Sequence, residues 1–367
     1  VQRICALHLL SPMNVELGTI EGFYGRPWSW PERTETMRSL ADHGYRFFLY
    51  APKADPFLRR RWRDPHPEEE ARALRIFSSA CASAGVRFGV GLSPYEVYLG
   101  FDRSAREAME AKLIALDAVP IRDLAILFDD MRGDVDGLAE RQAEVVHWIR
   151  ERTAADRIIV CPTYYSDDPV LDRVFGRRPD DYLSELAGSL PQGVEVFWTG
   201  EEVCSRELSA AHLRRVADEI GRPPFIWDNY PVNDGQRMSR YLHLRAFTGR
   251  SASVGSMIAA HGVNPALQPV LTRIPMVTLA ELYSQPDSYA YGDAFLRAAR
   301  AVLGERLGMH LWEDVLFLQD VGLDRLDDEK LAHLRDRYAS EDHPGAREII
   351  GWLEGRYAIT DEIVRTQ

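Results

Sequence analysis

The stretch Leu124-Ala125-Ile126-Leu127-Phe128-Asp129-Asp130-Met131 decides the fold, because an unbroken apolar run leads directly into two adjacent carboxylates. A short run of this kind reads as a strand buried on both faces, as in a parallel sheet, and its C-terminal end is where such sheets collect their chemistry. Neighbouring Cα atoms lie ~3.8 Å apart and side chains alternate along a strand, so the two acids sit close while pointing differently. One is free to face a reacting bond while the other faces a neighbouring group. Alone, Asp-Asp also reads as a helix cap or a solvated loop pair; the rest of the chain has to choose.

Outward from that strand the same pattern repeats. Short β-rich runs fall at Leu17 to Tyr24, Tyr45 to Ala51, Val86 to Leu92, Leu124 to Phe128, Arg157 to Pro162, Val194 to Trp198, Pro224 to Trp227 and Ser253 to Ala259. Between them lie amphipathic segments at Pro31 to His43, Pro67 to Ala84, Ser104 to Asp117, Asp136 to Ala154, Pro179 to Ser189 and Ser209 to Ile220. The alternation predicts βα units on a parallel sheet. Gly44 and Gly85 follow the first two segments as C-caps, and Pro31, Pro67 and Pro179 stand where a helix opens and a missing N–H costs little. Eight such units predict a (β/α)8 barrel, with Gly235 to Arg250 as the least regular stretch. A doubly wound open sheet competes, but its glycine-rich phosphate turn is missing. After Pro265 the chain reads as helix at Leu267 to Ser284, Tyr291 to Leu307, His310 to Leu323, Asp327 to Tyr338 and Ala346 to Tyr357. The expected organisation is an N-terminal extension over residues 1–13, an α/β TIM-type barrel over 14–285 and a small C-terminal all-helical domain over 286–367.

Composition narrows the classes of function. The chain has 367 residues, of which 46% are hydrophobic and 27% charged, enough for a large core. Its net charge of −12 argues against nucleic acid or an anionic membrane as partner, and the basic stretch Arg59-Arg60-Arg61 is too short to reverse that. Cys5, Cys81, Cys161 and Cys204 are widely spaced with no CxxC or Cys/His cluster, so no disulfide scaffold, zinc site or other cofactor is expected. No segment reaches the ~18 apolar residues of a membrane span. A cytoplasmic location is the expectation, with a removed leader left open by the start at Val1. Nothing in the sequence sets the oligomeric state.

If the barrel reading is right, the C-terminal ends of the strands carry the working groups. They read Glu21 to Trp28, Tyr50-Ala51-Pro52-Lys53, Asp129-Asp130, Pro162-Thr163-Tyr164-Tyr165, Trp198-Thr199-Gly200, Trp227-Asp228-Asn229 with Asn233-Asp234, and His261 to Asn264. Carboxylates, amides, an ammonium and aromatics converging on one rim suit a neutral, hydroxyl-rich ligand: hydroxyls need donors and acceptors, and a pyranose C–H face needs aromatic surface. Each residue has a plainer reading, Lys53 as a surface lysine, Trp198 and Trp227 as core, and Asn264 before Pro265 as a turn. On successive strand ends the plainer readings do not combine.

The runs Gly18-Thr19-Ile20-Glu21-Gly22-Phe23-Tyr24-Gly25-Arg26-Pro27-Trp28, Leu49 to Lys53, Leu127 to Asp130, Cys161-Pro162-Thr163, Trp198-Thr199-Gly200 and Trp227-Asp228-Asn229 resemble glycoside hydrolase family 84 over roughly residues 17–270. That family contains O-GlcNAcases and bacterial β-N-acetylglucosaminidases, some of them described as hyaluronidases. The resemblance implies a retaining exo-β-N-acetylglucosaminidase in which the 2-acetamido oxygen of the sugar attacks its own anomeric carbon to give an oxazoline. Substrate-assisted families of this kind depart from the scheme with an enzyme nucleophile. The resemblance assigns Asp129 to orienting and polarising the acetamido N–H and Asp130 to general acid/base catalysis. It assigns Gly22 (through its backbone), Lys53, Asn229, Asp234 and Asn264 to the sugar hydroxyls, Tyr165 to the acetamido or oxazoline oxygen, and Trp227 to the acetyl pocket. The implied partner is a GlcNAc-bearing glycoconjugate, including GlcNAc-modified protein.

In these roles Asp129 stays ionised, and Asp130 is expected to stay protonated near neutral pH through repulsion from its neighbour. The α/β domain that precedes the barrel in larger bacterial members is not among these residues. Tyr164 beside Tyr165, followed by Asp167-Asp168, is expected to vary the rim that meets the leaving group. Two other classes compete: a catalytically silent carbohydrate-binding barrel, which has no use for an acid, and a metal-dependent phosphohydrolase, which lacks a His-rich ligand set here.

Overall fold

The computed structural model describes residues 15–367, so Cys5 and the extension over 1–13 lie outside the described residues. Eight parallel strands close in chain order into a barrel: β1 (Leu17–Glu21), β2 (Tyr45–Tyr50), β3 (Arg87–Leu92), β4 (Asp123–Leu127), β5 (Arg157–Cys161), β6 (Glu195–Trp198), β7 (Phe225–Asp228) and β8 (Ala260–Val263). Leu17 lies opposite His261 and Thr19 opposite Val263 where the ring closes. Outside run α1 (Trp30–Ala41), α2 (Glu68–Ser83), α3 (Arg103–Asp117), α4 (Leu138–Arg150), α5 (Val170–Phe175), α6 (Tyr182–Ser189), α7 (Ala210–Ile220) and α8 (Arg273–Ser284). The expected barrel is therefore what the chain builds. Its seventh unit carries only 3-10 turns, at Met238–Arg240 and Ala252–Met257.

Period-two alternation separates lumen from helix layer. Ile20, Phe47, Leu49, Ala125, Leu127, Ile159, Phe197, Phe225 and Trp227 form one apolar cluster inside the barrel. Their strand neighbours Phe48, Tyr50, Leu124, Ile126, Ile158 and Val160 join the cluster beneath the helices. Gly18 makes room for the lumen, since a Cβ there would lie 2.2 Å from the Phe47 ring. Helix starts follow local chemistry. Ser29 and Glu32 close a capping box on α1, whose first turn holds Pro31, and the Asp102 carboxylate caps α3.

The expected positions of the last strand and of the helix that follows it need correction. The last strand is Ala260–Val263, not Ser253 to Ala259; Ser251 instead caps a 3-10 turn over Ala252–Met257. His261 and Gly262 look like loop residues, yet the imidazole is satisfied inside by Asp228 and Tyr283, and Gly262 packs on Ile20. Likewise α8 begins at Arg273 instead of Leu267, because side chains distant in sequence hold the preceding N–H groups. Leu267 donates to Asn233 Oδ1, and Val270 and Leu271 donate to the two oxygens of Glu348.

Beyond the barrel come α9 (Tyr291–Leu303), α10 (Glu305–Val315), a π-helical turn at Leu316–Val321, α11 (Asp328–Ala339), α12 (Pro344–Leu353) and α13 (Asp361–Thr366). The break between α9 and α10 falls at Gly304, whose φ of 81° favours glycine, earlier than the expected gap after Leu307. One apolar cluster runs from Leu17 and Ile274 through Phe295, Leu303 and Leu311 to Trp352, joining these helices to the barrel wall. Among the described residues no helix is long and apolar enough to cross a membrane.

Candidate active site

A pocket of about 200 Å³ opens at the C-terminal ends of the strands. Gly22, Lys53, Asp129, Asp130, Tyr165, Trp227, Asn229, Asp234 and Asn264, separated by up to 242 positions, all line it. Alternation that puts Ala125 and Leu127 in the lumen carries Asp129 in with them and would turn Asp130 away. A left-handed backbone at Asp130, φ 56°, brings the second carboxylate back to the same pocket. Asx residues tolerate that region better than others, but it costs energy held by the surrounding structure.

The β1, β2 and β4 side of the pocket is charged. The Lys53 ammonium bonds Asp129 Oδ2 and lies 3.3 Å from Asp130 Oδ2. The Tyr24 hydroxyl donates to Asp130 Oδ2 at 2.7 Å, and the Tyr165 hydroxyl stands 3.5 Å from Asp130 Oδ1. Asp129 Oδ1 is buried and has no hydrogen-bond partner among the described residues. A buried carboxylate oxygen left unsatisfied is costly unless a ligand donor completes it.

Burial alone would raise the proton affinity of Asp130. The charges of Lys53 and Arg59 and the bond from Tyr24 outweigh it, holding the carboxyl below its ordinary range. The expectation that Asp130 is protonated near neutral pH is thus reversed in the ligand-free protein: its closest charged contact is a cation shared with Asp129, which counters the repulsion between the two acids. Asp234 behaves oppositely. Burial pushes its carboxyl up to about 6, although Tyr24 N–H donates to it at 2.9 Å.

The β7 and β8 side is a relay of neutral amides. Asn229 Nδ2 donates to Val203 O at 2.9 Å, and Asn229 Oδ1 accepts from Trp227 Nε1 and Asn264 Nδ2, each at 3.0 Å. Asn264 Oδ1 then accepts from Gly22 N–H at 3.2 Å. These bonds fix the orientation of both amides and leave each NH2 a second N–H for a ligand. Gly22 can only be glycine here, because a Cβ would lie 2.3 Å from the Trp227 ring.

Tyr24, Cys161, Thr199, Val203, Cys204, Val232 and Met238 also line the pocket. Tyr24 sits within the Glu21 to Trp28 run, and Cys161 and Thr199 within the runs at the fifth and sixth strand ends, so their positions were visible without a role. Val203, Cys204 and Val232 lie in loops and Met238 opens a 3-10 turn, with no pattern to mark them. Tyr164 does not reach the rim: it is fully buried and donates to Gly176 O at 2.7 Å. Asp168 supports the loop instead, accepting from Val170 and Val203 N–H, while Asp167 pairs with Arg215. Trp198 is core, its indole N–H donating to His212.

Comparison with known proteins agrees with this geometry. A family model described as beta-N-acetylglucosaminidase matches residues 17–313. The Protein O-GlcNAcase of Mus musculus is 29% identical over 275 residues, covering 72% of this chain; the chain spans about 30% of that relative's length. A mutant O-GlcNAc hydrolase of Thermobaculum terrenum superposes with a TM-score of 0.77 at 28% identity, over 93% of this chain and 80% of that one. A structure described as CpGH84B shares the fold at 22% identity, with a TM-score of 0.72 over 96% of this chain and 65% of that one. With the family model spanning the whole barrel and the rim that carries the pocket, the chain belongs to the beta-N-acetylglucosaminidase family.

Proposed function

We propose that this chain hydrolyses terminal β-linked GlcNAc with retention, through an oxazoline formed by the substrate's own acetamido group. The observation that carries the reading is the buried, unpartnered Asp129 Oδ1, whose other oxygen is held by Lys53. It offers an acetamido N–H the acceptor it needs. Asp129 then steadies the positive charge that develops on the amide as its oxygen attacks C1. The C1–O bond to the aglycone breaks as Asp130 gives its proton to the leaving oxygen. Water next attacks C1, its proton passing to Asp130, and the oxazoline opens to the acetamide.

The first step requires a proton on Asp130, which the free protein holds ionised. A sugar hydroxyl that engages Lys53, together with exclusion of water from a side chain 24% exposed, raises its proton affinity on binding. The second N–H groups of Asn229 and Asn264, Gly22 and Asp234 would take the hydroxyls. Tyr165 would contact the acetamido oxygen, and Trp227 would wall the acetyl group.

Turnover of an aryl β-GlcNAc substrate, with the product anomer read by NMR before mutarotation, tests the reading. Retained configuration and activity that survives EDTA are expected. Inversion ends the substrate-assisted mechanism, and absence of turnover favours the silent binding barrel. A GlcNAc-modified peptide compared with a chitooligosaccharide then distinguishes protein from glycan substrates.

A further inference from the structure

Four arginines are buried among the described residues, Arg33, Arg59, Arg250 and Arg273. Three have carboxylate partners. Arg33 grips Glu21 at 2.5 and 2.7 Å, Arg250 grips Asp228 at 2.8 and 2.7 Å, and Arg273 meets Glu35 at 3.0 Å. Arg59 is 3% exposed and has no side-chain carboxylate partner among the described residues. Its bonds go to Ser93 Oγ at 3.2 Å and to the main-chain oxygen of Gln367, the last residue of the sequence, at 3.0 Å. Its remaining nitrogen faces the Tyr24 hydroxyl at 3.5 Å, the hydroxyl that donates to Asp130. Its charge is directed down a line that ends at the second aspartate.

We infer that Arg59 is a positioning residue for the reaction proposed above, acting through Tyr24 to stabilise the carboxylate that Asp130 becomes as it releases its proton. An N–H pointed at the phenol oxygen makes the phenol a stronger donor, because hydrogen bonds in series polarise one another. Charge accumulating on Asp130 Oδ2 during proton transfer meets that strengthened donor. Arg59 touches neither sugar nor aglycone in this role. The groups facing Asp130 are Asp129 on its own strand end, Lys53 from β2, Tyr24 from β1, Tyr165 from β5 and Asp234 beyond β7; Arg59 adds the second cation. Lys53 is shared with Asp129, whereas Arg59 makes no contact with that carboxylate.

The inference rests on the hydrolase reading, so the test includes a readout independent of turnover. In Arg59→Gln the midpoint at which the Asp130 carboxyl titrates, followed by 13C NMR in the ligand-free protein and assigned with Asp130→Asn, should rise by about one pH unit. The alkaline limb of the kcat–pH profile should rise with it, and kcat should fall several-fold more on poor than on activated leaving groups. Arg59→Lys, which keeps the cation, should restore most of the midpoint. Tyr24→Phe, which leaves Arg59 in place, should raise the midpoint as well and serves if the glutamine variant does not fold. An unmoved midpoint in Arg59→Gln or Tyr24→Phe overturns the inference, as does an equal loss on all leaving groups. Absence of turnover in the unsubstituted protein would count against the hydrolase reading and leave the midpoint shift to decide the Arg59–Asp130 coupling.

Discussion

The two sides of the pocket solve different problems. Around β4 the side chains are charged, one buried oxygen is unsatisfied, and a residue sits at φ 56°. Around β7 and β8 the amides of Asn229 and Asn264 are already hydrogen-bonded to one another and to backbone. A satisfied amide relay is rigid and indifferent to pH, which suits recognition of neutral hydroxyls. An unsatisfied charged cluster is costly by itself and gains most when a substrate supplies the missing donor and takes up proton traffic. Substitutions on the two sides should therefore fail in different ways.

The largest losses belong to the charged side. Asp129→Asn should cost about 100- to 1000-fold in kcat on every leaving group, because the developing amide charge loses its counter-ion. Asp130→Asn should cost about 100-fold or more on poor leaving groups and far less on activated aryl ones, since only the former need a proton. A leaving-group series read as log kcat against leaving-group pKa checks both. Equal slopes for the Asp130 variant and the parent protein would remove its acid role.

On the amide side the losses should be smaller and of another kind. Asn264→Ala removes the acceptor of Gly22 N–H and a donor to Asn229 at once. A loss of about 10- to 100-fold in kcat/KM, carried mostly by KM and equal across leaving groups, is the expected result. Its pH profile should match that of the parent protein, and a moved limb would show that the two sides are coupled.

Asp234 sits between the two behaviours: it lies among the groups proposed to hold the sugar, yet burial pushes its carboxyl up to about 6. To accept hydroxyl protons it must be ionised, so binding weakens as pH falls through that value. The parent protein should show an acid limb in kcat/KM near pH 6 that is absent in Asp234→Asn. The effect should be about tenfold between one unit above and one unit below.

The contrast also explains what the sequence made legible. The barrel followed from apolar runs at regular spacing, and every residue assigned to the pocket by resemblance does line it. β8 was hidden because His261 and Gly262 look polar and flexible, while the partners that make them strand residues, Asp228, Tyr283 and Ile20, are distant in sequence. Arg59 was hidden for a related reason. Read with Arg60 and Arg61 it belongs to a solvated basic stretch, and only the folded loop separates a buried 3% from its exposed neighbours. Asp130 reads as protonated from sequence because adjacency of two acids is visible along the chain, whereas a shared ammonium from another strand is not.

The smallest effect on activity, and a measurable one on stability, should come from Glu348 on α12. Its two oxygens accept Val270 and Leu271 N–H at 2.9 Å each, pinning the loop between Asn264 and α8. Glu348→Ala leaves two buried N–H groups unpaired, at about 1 to 3 kcal/mol each, and should change kcat/KM by only a few-fold through Asn264. Burial raises the Glu348 carboxyl to about 8 against the pull of those two bonds. Its folded value lies above the unfolded one, so the folded chain keeps a proton that the unfolded chain gives up. The side chain's contribution is then complete below about pH 4.5 and is lost as pH rises toward 8. Urea midpoints of the alanine variant should fall furthest below the parent at about pH 5 and converge with it by about pH 8; a gap that widens with pH would mean that the two N–H donors, and not burial, govern this carboxylate.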